Sequence, residues 1–359
     1  MESVDKENDG NRFAAELLER SASGFAGFAT NLMFEKSPGI KQRFQPDAFA
    51  TWKTYMTQRI LELAAAVGTG EPLLFSSRVI WSRKAFLARN QQEDDLVVSL
   101  SALKDVLADN LPAAASQQAV DYVDQAIDVL SQARPNEEDS ELNPERPHDR
   151  LALLYLQSVL EGNAAQAIDD VLQLSKGDMS PMDVYTQILL PAQREVGRLW
   201  HLGDMNVAEE HLVTFATQRA MAVLVQSATL AAANGKTMVA AAATGNVHDI
   251  GLRAVSDVFQ IAGWRTIFLG ADVPMQELPA TLTFFNADLL VLTAALSTQL
   301  PRVSYTITAV RDRCEHDVKI LVGGPAFDEA QDIWRKVGAD GYGPTIDKAL
   351  TEANQLVGL

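Results

Sequence analysis

Residues 239–251 read VAAAATGNVHDIG, a buried strand that runs into a polar loop. The apolar run from Met238 to Ala243 has the length of a buried strand. Thr244 and Gly245 end it, and helical spacing begins just after. His248 therefore sits at the carboxyl edge of a strand. Ligands bind at that edge of an open α/β sheet, where loops line a crevice and the next helix offers its positive N-terminus. Downstream, Trp264 to Leu269, Leu289 to Thr293 and Val318 to Val322 read as further strands, separated by helical stretches of ordinary length. The alternation predicts a doubly wound, parallel, flavodoxin-like sheet domain over residues 235–359.

Asn246, His248, Asp249 and Gly251 spell N-x-H-D-x-G. The pattern resembles the D-x-H-x-x-G fingerprint of cobalamin-binding domains. The third strand ends in Thr293-Ala294-Ala295 and the fourth in Gly323-Gly324, and both fall where that family has tail-binding residues. Gly270 to Pro274 and Ala339 to Gly343 are similar too. The resemblance implies that His248 replaces the cofactor's own benzimidazole as the lower cobalt ligand. It implies that the Thr293 hydroxyl meets the displaced benzimidazole, and that Gly323 and Gly324 line the tail's slot. The chemistry is consistent, because neutral imidazole suits a borderline metal and a glycine such as Gly251 lets a bulky group pass close to the backbone. Asn246 stands where the family has an acid two positions before the histidine. The expectation is a neutral and weaker second bond to the imidazole.

With 359 residues the chain has room for two or three domains. Its formal net charge of -17 argues against a phosphate-binding surface. No nucleic-acid partner is expected. No apolar run reaches the roughly 18 residues a membrane helix needs, and the start lacks a signal pattern, so a cytoplasmic protein is expected. The single cysteine, Cys314, excludes an internal disulfide and a cysteine-based zinc site.

Residues 1–12 are polar and read as disordered. Over 13–133 the spacing predicts an all-α domain, with helices at Asp47 to Val67, Glu71 to Asn90, Asp94 to Asn110 and Ala113 to Ala133. The pattern of Trp52, Tyr55 and Arg59, with Trp81 and Arg83 following, resembles globin-like sensor domains of stressosome-type regulators. No His or Cys precedes His148, so the axial ligands of haem iron are missing. A covalent bilin on this domain is excluded for the same want of a cysteine. An interaction module and a pocket for a non-covalent chromophore remain. For the latter, Arg78, Trp81 and Arg89 share one helix stripe and Trp52, Tyr55 and Arg59 another, offering an apolar slot and cations for two propionates. Residues 134–148, rich in Pro and acids, read as a linker.

Residues 149–234 predict a four-helix cap. A long helix runs from Pro181 to Leu202, and Asn206 with Glu209 forms a capping box for the next. At the turn between them lie Trp200, His201, Glu210 and His211. Singly, each reads as bundle core or as a helix-end charge. Together they resemble the W-H-x8-E-H pattern of cobalamin-dependent light sensors. That resemblance implies adenosylcobalamin as cofactor, with Trp200, Glu210 and His211 lining the pocket of the adenosyl group and His201 taking the upper cobalt position after light. The order of helical domain, cap and cobalamin domain resembles the photocobilins, which add biliverdin as a second chromophore. The expectation is a light sensor rather than an enzyme, a homo-oligomer with light-dependent assembly that signals to a downstream protein. A corrinoid methyl carrier of a methyltransferase system is the runner-up, and a cofactor-free stressosome-like scaffold the third reading.

Overall fold

A computed structural model describes residues 2–89, 91–132, 140–177 and 179–359. In chain order the helices are α1 (Glu2–Lys36), α2 (Pro38–Arg43), α3 (Ala48–Thr69), α4 (Pro72–Ala88), α5 (Glu93–Asn110) and α6 (Ala113–Gln132), then α7 (Pro147–Leu160) and α8 (Ala164–Lys176). Next come α9 (Pro181–Val184), a π turn (Tyr185–Leu189), α10 (Leu190–Leu202) and α11 (Val207–Ser227). Strand and helix then alternate through β1 (Thr237–Ala242), α12 (Ile250–Ile261), β2 (Arg265–Gly270), α13 (Leu278–Phe285), β3 (Leu289–Thr293) and α14 (Leu300–Arg313). The chain ends through β4 (Lys319–Gly323), α15 (Ile333–Lys336), β5 (Gly341–Tyr342) and α16 (Ile346–Val357).

Two compact units result. The first comprises residues 1–136 with two short segments, 296–301 and 328–337. The second holds 137–295, 302–327 and 338–359.

The first unit is helical, as its spacing predicts, and the resemblance to globin-like domains goes no further than that. The expectation of disorder over residues 1–12 is corrected, because α1 begins at Glu2. Ala14, Leu18, Ala22, Ala26, Ala29 and Met33 recur at three- and four-residue spacing and are buried, and α1 packs along α3. The polar start simply extends that helix past its apolar stripe. Gly70 closes α3 in the left-handed region at φ 67°, and Pro72 opens α4 where no intrahelical N–H is required. Of the expected linker, 134–139 lie outside the described residues, and α7 begins at Pro147.

In the second unit, α7 to α11 form the cap. Ser180 with Asp183, and Asn206 with Glu209, make capping boxes, and Gly203 at φ 82° ends α10. The helix expected from Pro181 to Leu202 runs that course with one π turn inside it. Pro191 has no N–H to give the carbonyl one turn back, and the ladder widens just ahead of it, where the Leu190 N–H reaches the Tyr185 carbonyl. The cap core, with Tyr155, Val184, Tyr185, Ile188, Val213 and Leu224, continues into Ala254 and Val258 of α12.

Among the described residues the sheet is five-stranded and parallel in the order β2-β1-β3-β4-β5. β1 is buried along its whole length, as its near-continuous Ala and Val run requires between two helical layers. Chain direction across the sheet reverses between β1 and β3, and a topological switch point opens a crevice beyond the carboxyl ends of that pair.

Candidate functional site at the β1/β3 edge

Register fixes what faces this crevice. Ala242 of β1 stands beside Thr293 of β3, which in turn pairs with Gly323 of β4. The β1 loop is stitched to its neighbours by backbone bonds. The Ala243 N–H donates to Thr293 O at 2.9 Å, and the Asp272 and Val273 N–H groups donate to Asn246 O and Ala242 O. Asp272, in the left-handed region at φ 49°, takes the Gly245 N–H on its Oδ1 at 2.7 Å. Sequence reasoning quoted Asp272 within a family-like stretch but gave it no task. Its task is to hold the loop that carries His248.

Asn246 is 1% exposed. Its Oδ1 accepts the His248 backbone N–H at 3.1 Å and its Nδ2 donates to Thr293 O at 3.1 Å. Both ends of the amide are thus committed to backbone, which also fixes its orientation. The expected bond from Asn246 to the imidazole is therefore corrected. Asn246 is a staple between β1 and β3, and the exposed His248 ring projects from the loop it closes. Asp249 takes the N-cap position of α12 without a side-chain capping bond, and Arg253 Nη2 lies 3.7 Å from its carboxylate. Gly251 stands in the first turn of α12, and a Cβ there would meet nothing within 4 Å.

The other side of the crevice is shaped by close backbone approach. Gly324 has φ 100°, and a Cβ built on it would lie 2.5 Å from Ala294 O; one on Gly323 would lie 3.1 Å from Gly343 O. Thr293 Oγ1 is buried without a hydrogen-bond partner. A buried hydroxyl left unpaired costs about 1–3 kcal/mol, and it is a polar group waiting for a partner from outside the chain.

These features fit a corrinoid. One projecting imidazole suffices for a metal whose equatorial positions a macrocycle fills, and among the described residues no three His, Cys, Asp or Glu side chains converge on a metal site. The unpaired Thr293 hydroxyl and the Gly323-Gly324 pair stand where the resemblance puts the tail.

In the cap, Trp200 is 43% exposed and His201 is buried. His211 is exposed, its Nδ1 2.6 Å from Glu210 Oε2, while Glu210 Oε1 accepts from Thr214 Oγ1 at 2.8 Å. Phe215, 64% exposed, stands edge-on to the His211 ring. The α10/α11 turn thus carries an indole and an imidazole at its surface and a second imidazole inside. Below, Tyr185 is fully buried, and its hydroxyl meets Asp257 Oδ2 at 2.7 Å and Met221 O at 3.2 Å. Burial pushes the Asp257 carboxyl up to about 6, and burial next to that carboxylate drives the tyrosine upward too. No sequence signal marks this pair, because its members lie 72 positions apart.

The residues expected to hold a bilin have other occupations. Trp52 is buried in an aromatic cluster with Phe44, Tyr55 and Phe86. Arg59 Nη1 binds Glu62 at 2.6 Å and Arg78 Nε lies 3.5 Å from the same carboxylate. Arg78 also covers the Trp81 ring at 4.2 Å, and exposed Arg89 bonds the Ala85 carbonyl. Arg59 and Arg78, expected to meet propionates, share the Glu62 carboxylate. Glu329 joins the cluster, its carboxyl raised to about 7 by burial.

Comparison with known proteins agrees with the site. Residues 236–351 match the family model of a B12 binding domain, and residues 154–225 match a second B12 binding domain model. Dimethylamine corrinoid protein 3 of Methanosarcina mazei is 35% identical over 115 residues, 32% of this chain and 67% of the relative. Dimethylamine corrinoid protein 1 of Methanosarcina acetivorans is 28% identical over 195 residues, 53% of this chain and 90% of the relative. The monomethylamine corrinoid protein of Methanosarcina barkeri superposes with a TM-score of 0.51 at 19% identity, covering 58% of this chain and 99% of that one, a likeness of fold. The two sequence relatives are named as dimethylamine corrinoid proteins. They overturn the expected light sensor in favour of the runner-up, and the post-light role given to His201 falls with it. Among the described residues, no helix is long and apolar enough to cross a membrane.

Proposed function

We propose, from the premise that the chain belongs to the B12-binding family, that it is a corrinoid carrier, holding a cobalt-bound one-carbon group and presenting it to a methyltransferase partner. The observation that carries this reading is the β1/β3 edge, where an exposed imidazole on the β1 loop, an unpaired buried hydroxyl at the end of β3 and the Gly323-Gly324 pair at the end of β4 are brought to one side of the sheet. When bound, the corrinoid supplies a cobalt able to accept and release a methyl group. The chain's own residues bind and orient. His248 would ligate the lower cobalt face, Thr293 Oγ1 would bond the displaced base, Gly251 would leave room for the macrocycle, and Gly323 and Gly324 let the neighbouring backbone close up and so shape the sheet edge beside it. Trp200, Glu210 and His211 would cover the upper face and limit water there. Catalysis of demethylation and remethylation belongs to partners, so the carrier itself is not a turnover enzyme.

The test has two steps. The full chain is loaded with hydroxocobalamin and reduced to the cobalt(II) state, and its paramagnetic spectrum should show splitting from one histidine nitrogen that His248→Ala abolishes. The chain is then reduced further and mixed with a dimethylamine methyltransferase and dimethylamine, which should discharge the absorption of the reduced cofactor. A reduced spectrum that stays unchanged would sink the carrier reading, and splitting that persists in His248→Ala would sink the ligand assignment.

A further inference from the structure

A carrier must cover its cobalt between transfers and bare it to each partner, so the cap has to part from the sheet domain. Three observations locate the contact that holds it. Tyr185 is fully buried although its hydroxyl is polar, and that hydroxyl is shared between Met221 O on α11 and Asp257 Oδ2 on α12. It thus ties cap to sheet domain at a point otherwise sealed by apolar packing of Ala254 and Val258. Tyr185 also opens the π turn, where the Leu190 N–H closes on the Tyr185 carbonyl ahead of Pro191. A π turn beside a proline has given up its regular ladder already, and conformational change is cheapest there. Finally, Asp257 is the far end of a charged stripe on α12. Asp249, Arg253 and Asp257 are spaced one turn apart. The stripe starts at the residue beside His248, and Arg253 lies 3.7 Å from Asp249 while its charge acts on Asp257.

We infer that the Tyr185 hydroxyl is the latch that keeps the cap shut on the sheet domain, with Asp257 as its receiver, and that its release, with the π turn yielding beside it, lets α10 and its Trp200 part from the sheet domain with the rest of the cap. Tyr185 and Asp257 are positioning residues in this scheme. They touch no reacting atom and set how often the upper face is bare. The inference rests on the carrier reading but is measured separately from it.

The experiment follows addition of cyanide to the upper face of the hydroxocobalamin-loaded full chain. Tyr185→Phe removes one hydroxyl, loosens closure by the worth of a buried hydrogen bond to a carboxylate, and should speed cyanide addition roughly tenfold while cobalamin affinity holds. Tyr155→Phe is the control. Its hydroxyl, 3.0 Å from Thr217 Oγ1, bonds within the cap, so it should lower stability without changing the rate. Asp257→Ala should accelerate addition as Tyr185→Phe does, and Asp257→Asn, which keeps an acceptor, should restore most of the closure. Were Tyr185→Phe not to fold, the two Asp257 variants would decide. Unchanged rates in Tyr185→Phe and Asp257→Ala, or equal acceleration by Tyr155→Phe, would overturn the latch. Failure to take up cobalamin at all would instead strike the proposed function, and the latch would then be read from hydrogen exchange of residues 190–202 in the unloaded chain.

Discussion

Replacing Gly324 by alanine separates a requirement of the fold from a requirement of the ligand. The backbone there has φ 100°, and an added Cβ would lie 2.5 Å from Ala294 O and 3.2 Å from its carbonyl carbon. The same carbonyl accepts the Ala326 N–H at 3.3 Å, so it cannot retreat without weakening that bond. A side chain at this φ costs about 1–2 kcal/mol, and relieving the overlap adds about 1–2 kcal/mol. The narrower unfolded ensemble of alanine returns about 0.4–1 kcal/mol. The net loss is about 2 kcal/mol, which should speed exchange of the β3 and β4 amides about thirtyfold in the chain without cofactor. Gly251→Ala is the counterpart. Its Cβ meets nothing within 4 Å and it sits in the first turn of α12, so stability should hold or rise by up to about 1 kcal/mol. Its effect should fall on hydroxocobalamin affinity, with a loss of tenfold or more as the methyl group stands in the macrocycle's way. Exchange of the β3 and β4 amides in Gly324→Ala at the wild-type rate would refute the steric argument. A Gly251→Ala chain that binds hydroxocobalamin normally would refute close passage at that residue.

Two further outcomes follow from polar groups beside the site. Asn246→Ala strips the His248 N–H of its partner and Thr293 O of one of its two donors, leaving the Ala243 N–H, and should cost about 1–3 kcal/mol of apo stability. Asn246→Asp, which restores the family's acid, should also destabilise, because a carboxylate then faces the Thr293 carbonyl; thermal unfolding of both variants without cofactor checks this, and an Asn246→Asp chain more stable than wild type would contradict it. Asp257, raised from 3.8 to about 6 in the folded state, holds its proton more tightly folded than unfolded. Its stabilising share is full below about pH 4 and is lost as pH rises through about 6, so Asp257→Asn should gain on wild type across that window. Denaturation curves of the two proteins at pH 4 and pH 7 check it, and a pH-independent difference would refute the burial argument.

The sheet domain was largely legible in the sequence, because buried parallel strands appear as short unbroken apolar runs. The starts and ends of β1 to β4 lie within about a residue of the expected positions. β5 was quoted only as a family-like stretch, since two residues, Gly341 and Tyr342, carry no periodicity. Strand order came only through the flavodoxin-like reading, whose order β2-β1-β3-β4-β5 is the one observed; residue patterns alone do not give it, because it depends on the side to which each crossover packs. In the first unit the helices from α3 onward were expected, but α1 and α2 were not named, and residues 2–12 read as disordered because the start of α1 is polar and carries no apolar stripe. The stripes that suggested a chromophore slot show the limit of one-helix reasoning. Arg59 and Arg78 do lie near the aromatics, and no pattern within one helix reveals that Glu62 receives both.

Asn246 carries the larger lesson for the site. Spacing placed it beside His248, which is correct, and suggested an imidazole partner, which is not. The reason is geometric. β1 ends in a turn whose His248 N–H and whose neighbour's Thr293 carbonyl both point into the strand edge, and a buried amide satisfies one with its oxygen and the other with its nitrogen. An acid in this place could accept from the first and would repel the second. The staple therefore fixes where the His248 backbone stands and leaves ring orientation to whatever the ring binds. A lower ligand placed this way is held by loop position, through Asn246 and Asp272, so changes at either residue should move cofactor affinity through the loop rather than through the electronics of the imidazole.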